Sequence, residues 1–533
     1  MKKSLFSSWK QDVPASVVVF LVALPLCLGI AVASGAPPIA GVVAGAVGGM
    51  LVGWISGSPI GVSGPAAGLT AIVLNAVTEL GAYELFLAAV IMAGLMQVAL
   101  GFLKGGIIAY YFPNSVIKGM LAGIGVIIIL KQVPHAVGYD PDYMGDMAFR
   151  QPDAGNTFTG LVDMLAHVSA GAVVITLVGL LLSILWERPL IKGNKVLALV
   201  PGPLMAVVAG VALAAAFASH PALAVGAGHY VDLPDINGLG DLPRPDFHAL
   251  LAPKVWTIAF TIAVVASLET LLCVEATDKM DPRKRVTPAN RELHAQGIGN
   301  VVSGLLGGLP VTQVVVRSSA NIQSGGRNKL SAILHGVLLL VCALAVPGLL
   351  RTIPLASLAA VLLVVGFKLA RPAGFKAMWK AGPMQFIPFI VTVVGVAFTD
   401  LLTGVALGLV VAIVHILWKN YSTPYHFDPA RHRAGMPIHI ELSEDVTFLN
   451  KAGIKRTLGE LPDGANVVID ARRTVELDPD VKEIIDEFMQ MAPHRNIHCE
   501  MVGLRAAHRK RRPMDLERLV RRAAGRPGTD QAR

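Results

Sequence analysis

The strongest constraint on this chain is a succession of about fourteen apolar spans between Val13 and Trp418. A membrane-crossing helix needs roughly 20 predominantly apolar residues, and most of these spans approach that length. Charged residues make up only 15% of the chain, whereas soluble proteins carry about 25%. We therefore predict a membrane α-helical protein. The spans lie near 13–33, 39–55, 61–77, 84–103, 114–133, 160–185, 196–217, 254–275, 290–306, 311–322, 330–346, 355–369, 383–398 and 400–418.

Basic and acidic residues alternate between the loops that join these spans. With the N-terminus assigned to the cytoplasm, the inside loops are rich in lysine and arginine and the outside loops in aspartate, which is the usual signature of membrane orientation. The pattern and the even number of spans predict cytoplasmic N- and C-termini. The first apolar run, from Val13, is too long for a signal-peptide core, so we expect no cleavable signal peptide. We expect a bacterial-type inner (plasma) membrane. The inside loops carry Arg188, Lys192, Lys195, Lys279, Arg283, Lys284, Arg285, Arg291, Arg327, Lys329, Lys368, Arg371, Lys376 and Lys380, and the outside loops carry Asp140, Asp142, Asp146, Asp153, Asp232, Asp235, Asp241 and Asp246.

One apolar region, Gly304 to Gly326, contains helix breakers, small polar residues and an arginine, Arg317. Gly307, Gly308 and Pro310 make an uninterrupted helix unfavourable there. Broken backbone at membrane depth is tolerated only where protein or a water-filled cavity surrounds it. We expect a short half-helix that begins near Val311 and points its N-terminus at a small anion.

A second stretch, Gly61 to Val77, has the same character, because it opens with Gly, Ser, Gly and Pro and is barely long enough to cross the membrane. It is the third span of the first seven, and Gly304 to Gly326 contains the third span of the second seven. Paired interrupted segments in two halves indicate a transporter's binding site. An odd number of spans per half also makes the second repeat inverted relative to the first.

The composition changes after Trp418. Strands are predicted at 438–442, 467–471 and 497–503, with helices at Asn450–Leu461 and Asp480–Met491, which together indicate a small mixed α/β sheet. The predicted domains are a cytoplasmic N-terminus (1–11), a transmembrane domain (12–420), a small cytoplasmic α/β domain (436–504) and a basic, disordered tail (505–533).

Several other classes of protein fit the sequence poorly. The net charge of +9 comes from loops and the C-terminus, so it indicates membrane orientation and no nucleic-acid partner. Cys27, Cys273, Cys342 and Cys499 are scattered without metal-ligand spacing, which predicts neither a zinc site nor a disulfide framework. A membrane-bound enzyme such as a carbonic anhydrase would need a zinc constellation, so we expect no enzyme, no metal and no cofactor.

Both halves of the chain resemble the SulP family of sulfate permeases and related anion transporters, and the C-terminal region resembles a STAS domain. The resemblance covers nearly the whole chain and rests on the order and spacing of several motifs together. The motifs are LPLCLGIA (24–31), GVSGPAAG (61–68), SLETLLCVEATDKM (267–280), GGLPVTQVVVRSSAN (307–321), FLNKAGIKRTL (448–458) and VVIDARRTVELD (467–478).

The resemblance implies fourteen membrane segments in two inverted seven-segment repeats. Segments 1–4 and 8–11 would form a transport core, and segments 5–7 and 12–14 would form a gate. Substrate would bind between the facing ends of segments 3 and 10, where backbone N–H groups and the helix dipole favour an anion. A homodimer is also expected from the family. The predicted substrate-binding residues are Pro65, Ala66, Ala67, Gly68, Gln313, Val314, Val315, Val316 and Arg317.

Glu269 in segment 8 is the predicted ion-coupling residue. A nearby Arg317 would favour its charged form and burial its neutral form, which suits proton coupling. Sodium-coupled members carry an acidic residue here together with two threonines, but the corresponding positions are Cys273 and Val315. We therefore expect protons rather than sodium. The structural alternative is a Glu269–Arg317 salt bridge that only holds the core together.

The function expected from these features is secondary active transport of a small inorganic anion, with sulfate and bicarbonate as the leading candidates. The mechanism would be proton-coupled symport, in which the core moves against the gate like an elevator. The alternatives are a passive anion channel and a sodium-coupled bicarbonate transporter of the same fold.

Overall fold

The computed structural model describes residues 5–65, 67–140, 149, 156–186, 188, 191, 200–231, 242–345, 347–422, 425–426 and 437–503. Ala66, the tail 505–533 and parts of several predicted loops lie outside these residues. The chain divides into two compact units, Met1–Ala412 and Ile413–Arg533. Each unit is described by itself.

Helices accompany every predicted span, and they belong to the first unit except for the residues of the last helix from Ile413 onward. The helices are α1 (Trp9–Ala33), α2 (Pro38–Val47), α3 (Gly53–Ile55), α4 (Thr70–Leu80), α5 (Tyr83–Phe102), α6 (Asn114–Val137), α7 (Thr157–Asp163), α8 (Ala170–Leu185), α9 (Gly202–Phe217), α10 (Pro253–Met280), α11 (Ala289–Leu305), α12 (Val315–Gln323), α13 (Leu330–Ala345), α14 (Pro347–Leu350), α15 (Leu355–Leu369), α16 (Pro372–Lys380), α17 (Pro383–Phe398) and α18 (Leu401–Ser422).

Within the described residues, seven helical stretches are long and apolar enough to cross a membrane alone. A bent helix pair passes the same criterion, and four further apolar helices are shorter. The remaining predicted segments are the polar α11 and the very short α12. The seven stretches are Phe6–Ala33, Pro38–Ile55, Tyr83–Phe102, Asn114–Val137, Pro253–Met280, Leu355–Lys380 and Leu401–Trp418.

Two predicted boundaries were wrong. The span 160–185 is not one helix, because Thr157–Ala166 and Ala170–Leu185 meet at a bend of 118°. Ser169 caps the second helix by accepting a hydrogen bond from the Ala172 N–H. The half-helix expected near Val311 begins instead at Val315, and the three residues from Val311 form a strand.

Glycines allow helices of the first unit to approach closely. A Cβ added at Gly49 would lie 2.6 Å from the Gly336 Cα, where the π-helical turn between α2 and α3 meets α13. A Cβ added at Gly94 of α5 would lie 2.6 Å from the Gly297 carbonyl oxygen of α11. Small residues of this kind drive helix packing in membranes, where dispersion forces need close contact.

The second unit is a small α/β domain. Strands β3 (Tyr425–His426), β4 (Ile438–Leu442), β6 (Asn466–Asp470) and β8 (His498–Val502) form a mixed sheet in that order. The β3–β4 pair is antiparallel and the other pairs are parallel. Two short strands, β5 (Asp445–Val446) and β7 (Glu476–Leu477), pair separately. Helices α19 (Lys451–Gly459) and α20 (Pro479–Met491) supply buried residues such as Ile454 and Ile485 to the same apolar core.

Candidate functional site

The two interrupted segments meet in a short antiparallel ladder at the centre of the first unit. Strand β1 (Ser63–Pro65) pairs with β2 (Val311–Gln313), with Gly64 opposite Thr312. The pairing continues one residue further, because the Val314 N–H donates to the Val62 carbonyl oxygen at 2.9 Å. The two non-helical segments thus bind each other's backbone N–H and carbonyl groups. Such pairing is needed inside a membrane, where no water is present to bind these groups.

A helix begins directly after each strand. On the first side a 3₁₀ turn at Ala67–Leu69 leads into α4, and the predicted donor Ala66 lies outside the described residues. On the second side α12 begins at Val315, and its first helical bond runs from the Ser318 N–H to the Val314 carbonyl. The N–H groups of Val315, Val316 and Arg317 therefore have no hydrogen-bond acceptor within the helix itself.

Two side chains of α10, one helical turn apart, face these helix starts. The Gly68 N–H donates to the Glu269 carboxylate, and a Cβ added at Gly68 would lie only 3.0 Å from Glu269 Oε1. The Val315 N–H donates to the Cys273 thiol. The second Glu269 oxygen is buried and has no hydrogen-bond partner in the described chain. Segment 8 thus places an acidic group against the N-terminal end of segment 3.

Arg317 is fully buried and extends behind the β1–β2 ladder. Its Nη1 approaches Gly64 so closely that a Cβ there would lie 2.0 Å away, and its guanidinium lies near the Cys27 thiol. Among the described residues its three side-chain nitrogens lack a hydrogen-bond partner of ordinary geometry, and the Cys27 thiol is the polar group that interacts with the guanidinium. The alternative of a Glu269–Arg317 salt bridge is wrong within the described chain, because no ion pair joins the two side chains.

The side chain of Gln313 contacts α10. Its Nε2 donates to Thr277 Oγ1 at 3.1 Å, on the turn of α10 that follows Cys273. Its Oε1 is buried without a partner in the described part of the chain. Gln313 therefore cross-links β2 to α10, and its role as a direct ligand stays a prediction. Pro65 lies opposite Val311 in the ladder, and Val314 precedes the first turn of α12.

Asn300 on α11 holds β2 in place, and sequence reasoning missed this residue. Its side chain accepts from the Val311 N–H at 2.5 Å and donates to the Val311 carbonyl oxygen at 3.1 Å. It also donates to Gln97 on α5 at 2.5 Å. The Asn300 amide therefore binds both backbone groups of Val311, as a neighbouring strand would. One helix turn on, Ser303 donates to the Leu309 carbonyl at 2.7 Å.

The same face of α11 also supports the approach to β1. Gln296 donates to the Ser63 hydroxyl at 2.7 Å and to Glu292 at 3.0 Å. Glu292 in turn accepts from the Ser56 hydroxyl at 2.6 Å and from the Gly57 N–H at 3.2 Å. All these α11 side chains are buried. The signal in the sequence is a stripe of polar residues at i, i+4, i+8 and i+11 within a predicted membrane span.

This geometry suits a small anion. Two helix N-termini converge, and an arginine without a carboxylate partner in the described chain adds positive charge behind them. The buried hydroxyl of Thr70, at the first turn of α4, also has no partner among the described residues. Uncompensated buried donors of this kind are costly unless a ligand or water meets them.

Comparison with known proteins agrees with this geometry. The sequence profile described as "Sulfate permease family" matches residues 9–392. The chain belongs to the sulfate permease family. A relative from Bacillus subtilis (strain 168), named "Putative sulfate transporter YvdB", is 29% identical over 412 residues, which cover 77% of this chain and 74% of the relative.

Two solved structures extend the likeness to the fold. The transmembrane domain of a cyanobacterium bicarbonate transporter, BicA, has a TM-score of 0.54 and 26% identity, covering 76% of this chain and 98% of that one. The murine Solute Carrier 26 family member A9 anion transporter in the inward-facing state has a TM-score of 0.67 at 15% identity, covering 95% of this chain and 86% of that one. At 15% identity, the similarity to the murine transporter shows a shared fold only.

Membership of the sulfate permease family makes the chain a multi-pass membrane anion transporter and not an enzyme. The predicted fold class, a membrane α-helical protein with a small α/β domain of the STAS kind at its C-terminus, is confirmed.

Proposed function

We propose that this protein is a secondary active transporter of a small inorganic anion, with sulfate or bicarbonate as the substrate, and that it works by proton-coupled symport. The observation that carries the proposal is the convergence of the α4 and α12 starts at the β1–β2 ladder, beside Glu269. The named relatives include a sulfate and a bicarbonate transporter, and both substrates are small oxyanions.

Glu269 supplies the coupling in this proposal. An ionised carboxylate at the start of segment 3 competes with a substrate anion for the same N–H groups and the same dipole. A proton on Glu269 removes that competition, so proton binding and anion binding favour each other. The positions of the two sodium-ligand hydroxyls carry Cys273 and Val315, and neither side chain is an oxygen ligand suited to sodium.

The proposed movement follows the family's two-part design. Segments 1–4 and 8–11 form the core that carries the anion, and segments 5–7 and 12–14 form the gate against which it moves in an elevator-like way. The two inverted repeats, the homodimer and the inner-membrane location with cytoplasmic N- and C-termini belong to this proposal too. The matching contacts of α2 with α13 and of α5 with α11 support the repeat, because inversion would exchange one pair for the other.

Uptake into proteoliposomes tests substrate and coupling together. Labelled sulfate and labelled bicarbonate are offered separately under an imposed proton gradient or sodium gradient. We expect the uptake of one of the two anions to rise steeply with an inward proton gradient and to be unchanged by a sodium gradient. Stimulation by sodium alone would favour the sodium-coupled alternative, and downhill flux without saturation would favour a channel.

Glu269→Gln tests the coupling residue, because glutamine keeps the shape of the side chain but cannot titrate. We expect the variant to lose most of the proton-driven accumulation while still exchanging the anion across the membrane. Normal accumulation with the wild-type pH dependence would contradict the assignment of Glu269.

A further inference from the structure

A cavity of about 360 Å³ lies apart from the half-helix starts, at the end of the first unit that carries Lys368 and Arg371. Its walls come from both proposed moving parts. The core contributes Val18 of α1 and the C-terminal end of α12, from Ala320 onward. The gate contributes α8, the start of α9 and α15. A molecule that fills this cavity would therefore touch both the core and the gate.

The lining has two chemical faces. One wall is apolar and includes Val361, Val364 and Val365 of α15. The polar part of the lining consists of the cationic side chains of Lys368 and Arg371 and the hydroxyl of Ser183. That hydroxyl is buried and lacks a hydrogen-bond partner among the residues described, so an occupant with an acceptor oxygen would satisfy it.

The size of the cavity argues against an inorganic anion as the intended occupant. Pockets for organic molecules begin at about 300 Å³ and combine apolar walls with a few placed polar groups. A single sulfate or bicarbonate would fill a small part of this space and would gain nothing from the valine wall. An amphipathic anion, with a carboxylate at the cations and an apolar body along α15, matches both faces.

We propose that this cavity is a regulatory site for an amphipathic organic carboxylate, and that its occupation inhibits transport by wedging the core against the gate. The inhibitory part rests on the proposed elevator-like function, whereas the binding part does not. The carboxylate pairs with Lys368 and Arg371, and the apolar body displaces water from the valine wall. Because the wedge lies outside the half-helix site, inhibition is not relieved by excess substrate.

Calorimetric titration of the purified full-length protein with 4-phenylbutyrate tests binding without any transport. We expect saturable binding at one site per chain, and no comparable binding of the neutral 4-phenylbutan-1-ol. The double variant Lys368→Gln/Arg371→Gln should bind about tenfold more weakly, since each partly exposed ion contact contributes modestly. Val364→Trp, which fills the cavity, should abolish the saturable component.

The matched control is Lys376→Gln/Lys380→Gln, which removes the same charge from exposed positions of α16 that do not line the cavity. It should bind like the wild type. Equal affinity in all variants, or equal binding of the alcohol, would overturn the site.

Proteoliposome uptake with 4-phenylbutyrate on the proposed cytoplasmic side then tests the wedge. We expect non-competitive inhibition that needs about tenfold more 4-phenylbutyrate in the Lys368→Gln/Arg371→Gln variant, and unaffected uptake in the wild type would overturn the inhibitory role. A protein that binds the probe but carries no anion would instead refute the proposed transport function and leave the site standing.

Discussion

Arg317 owes its position to the absence of a side chain at Gly64. The guanidinium fills the space that a Cβ would occupy, 2.0 Å from Nη1. Gly64→Ala should therefore push the end of a flexible side chain aside while leaving the β1–β2 backbone pairing available. We expect a folded, monodisperse protein whose uptake of labelled sulfate or bicarbonate falls at least about tenfold, because the positive charge no longer lies behind the anion.

The control for this variant is Gly374→Ala on α16, where an added Cβ meets nothing within 4 Å. Size-exclusion chromatography and uptake measured on both variants separate a misfolded protein from an altered site. Wild-type uptake by Gly64→Ala would mean that the placement of the guanidinium does not matter for transport.

Only part of the candidate site is visible in the sequence. Arg317 and Glu269 could be found because a charge in an apolar span is unusual in itself. Their lack of a mutual ion pair could not be found, because the direction of each side chain depends on Gly64 and Gly68. Those two glycines belong to segment 3, which is remote from both charges in the sequence.

At the scale of elements, α11 acts as a scaffold for the broken backbone rather than as a plain membrane span. Asn300→Leu would leave the N–H and the carbonyl of Val311 buried without their side-chain partner. Each such group costs about 1–3 kcal/mol. We expect a clear drop in the melting temperature of the detergent-purified protein, together with a loss of uptake.

Ile298→Ala, at a partly exposed position of the same helix, is the comparison for this prediction. It should melt close to the wild type. If Asn300→Leu melted there too, the hydrogen bonds to Val311 would not be supporting the strand.

Most elements could be predicted because apolar length and helix breakers are local signals. The exceptions have non-local causes. Val311 begins a strand rather than a helix because the Asn300 side chain binds its N–H and carbonyl and because β2 pairs with β1, which comes from the other half of the chain. Gln97 and Asn300, which bond to each other, are 203 residues apart. Contacts between residues so far apart cannot be predicted from the local pattern of a single sequence.

For the whole molecule, the orientation in the membrane is the property most open to direct measurement. Ser219→Cys lies in an exposed loop after α9, and Lys284→Cys lies in an exposed loop between α10 and α11. We expect a membrane-impermeant maleimide to label Ser219→Cys in intact cells and to label Lys284→Cys only after permeabilisation. The wild-type chain, with its own four cysteines, sets the background. Labelling of Lys284→Cys in intact cells would reverse the proposed orientation.

The β1–β2 ladder also bears on how the protein is made. Ser63 leaves the ribosome roughly 250 residues before its partner Gln313, which corresponds to about 12–50 s of synthesis at ordinary rates. During that interval the first half waits in the translocon or the lipid with an open strand edge. We therefore expect the nascent chain to need a temporary partner, such as an insertase or an early neighbour helix, until its second half is made.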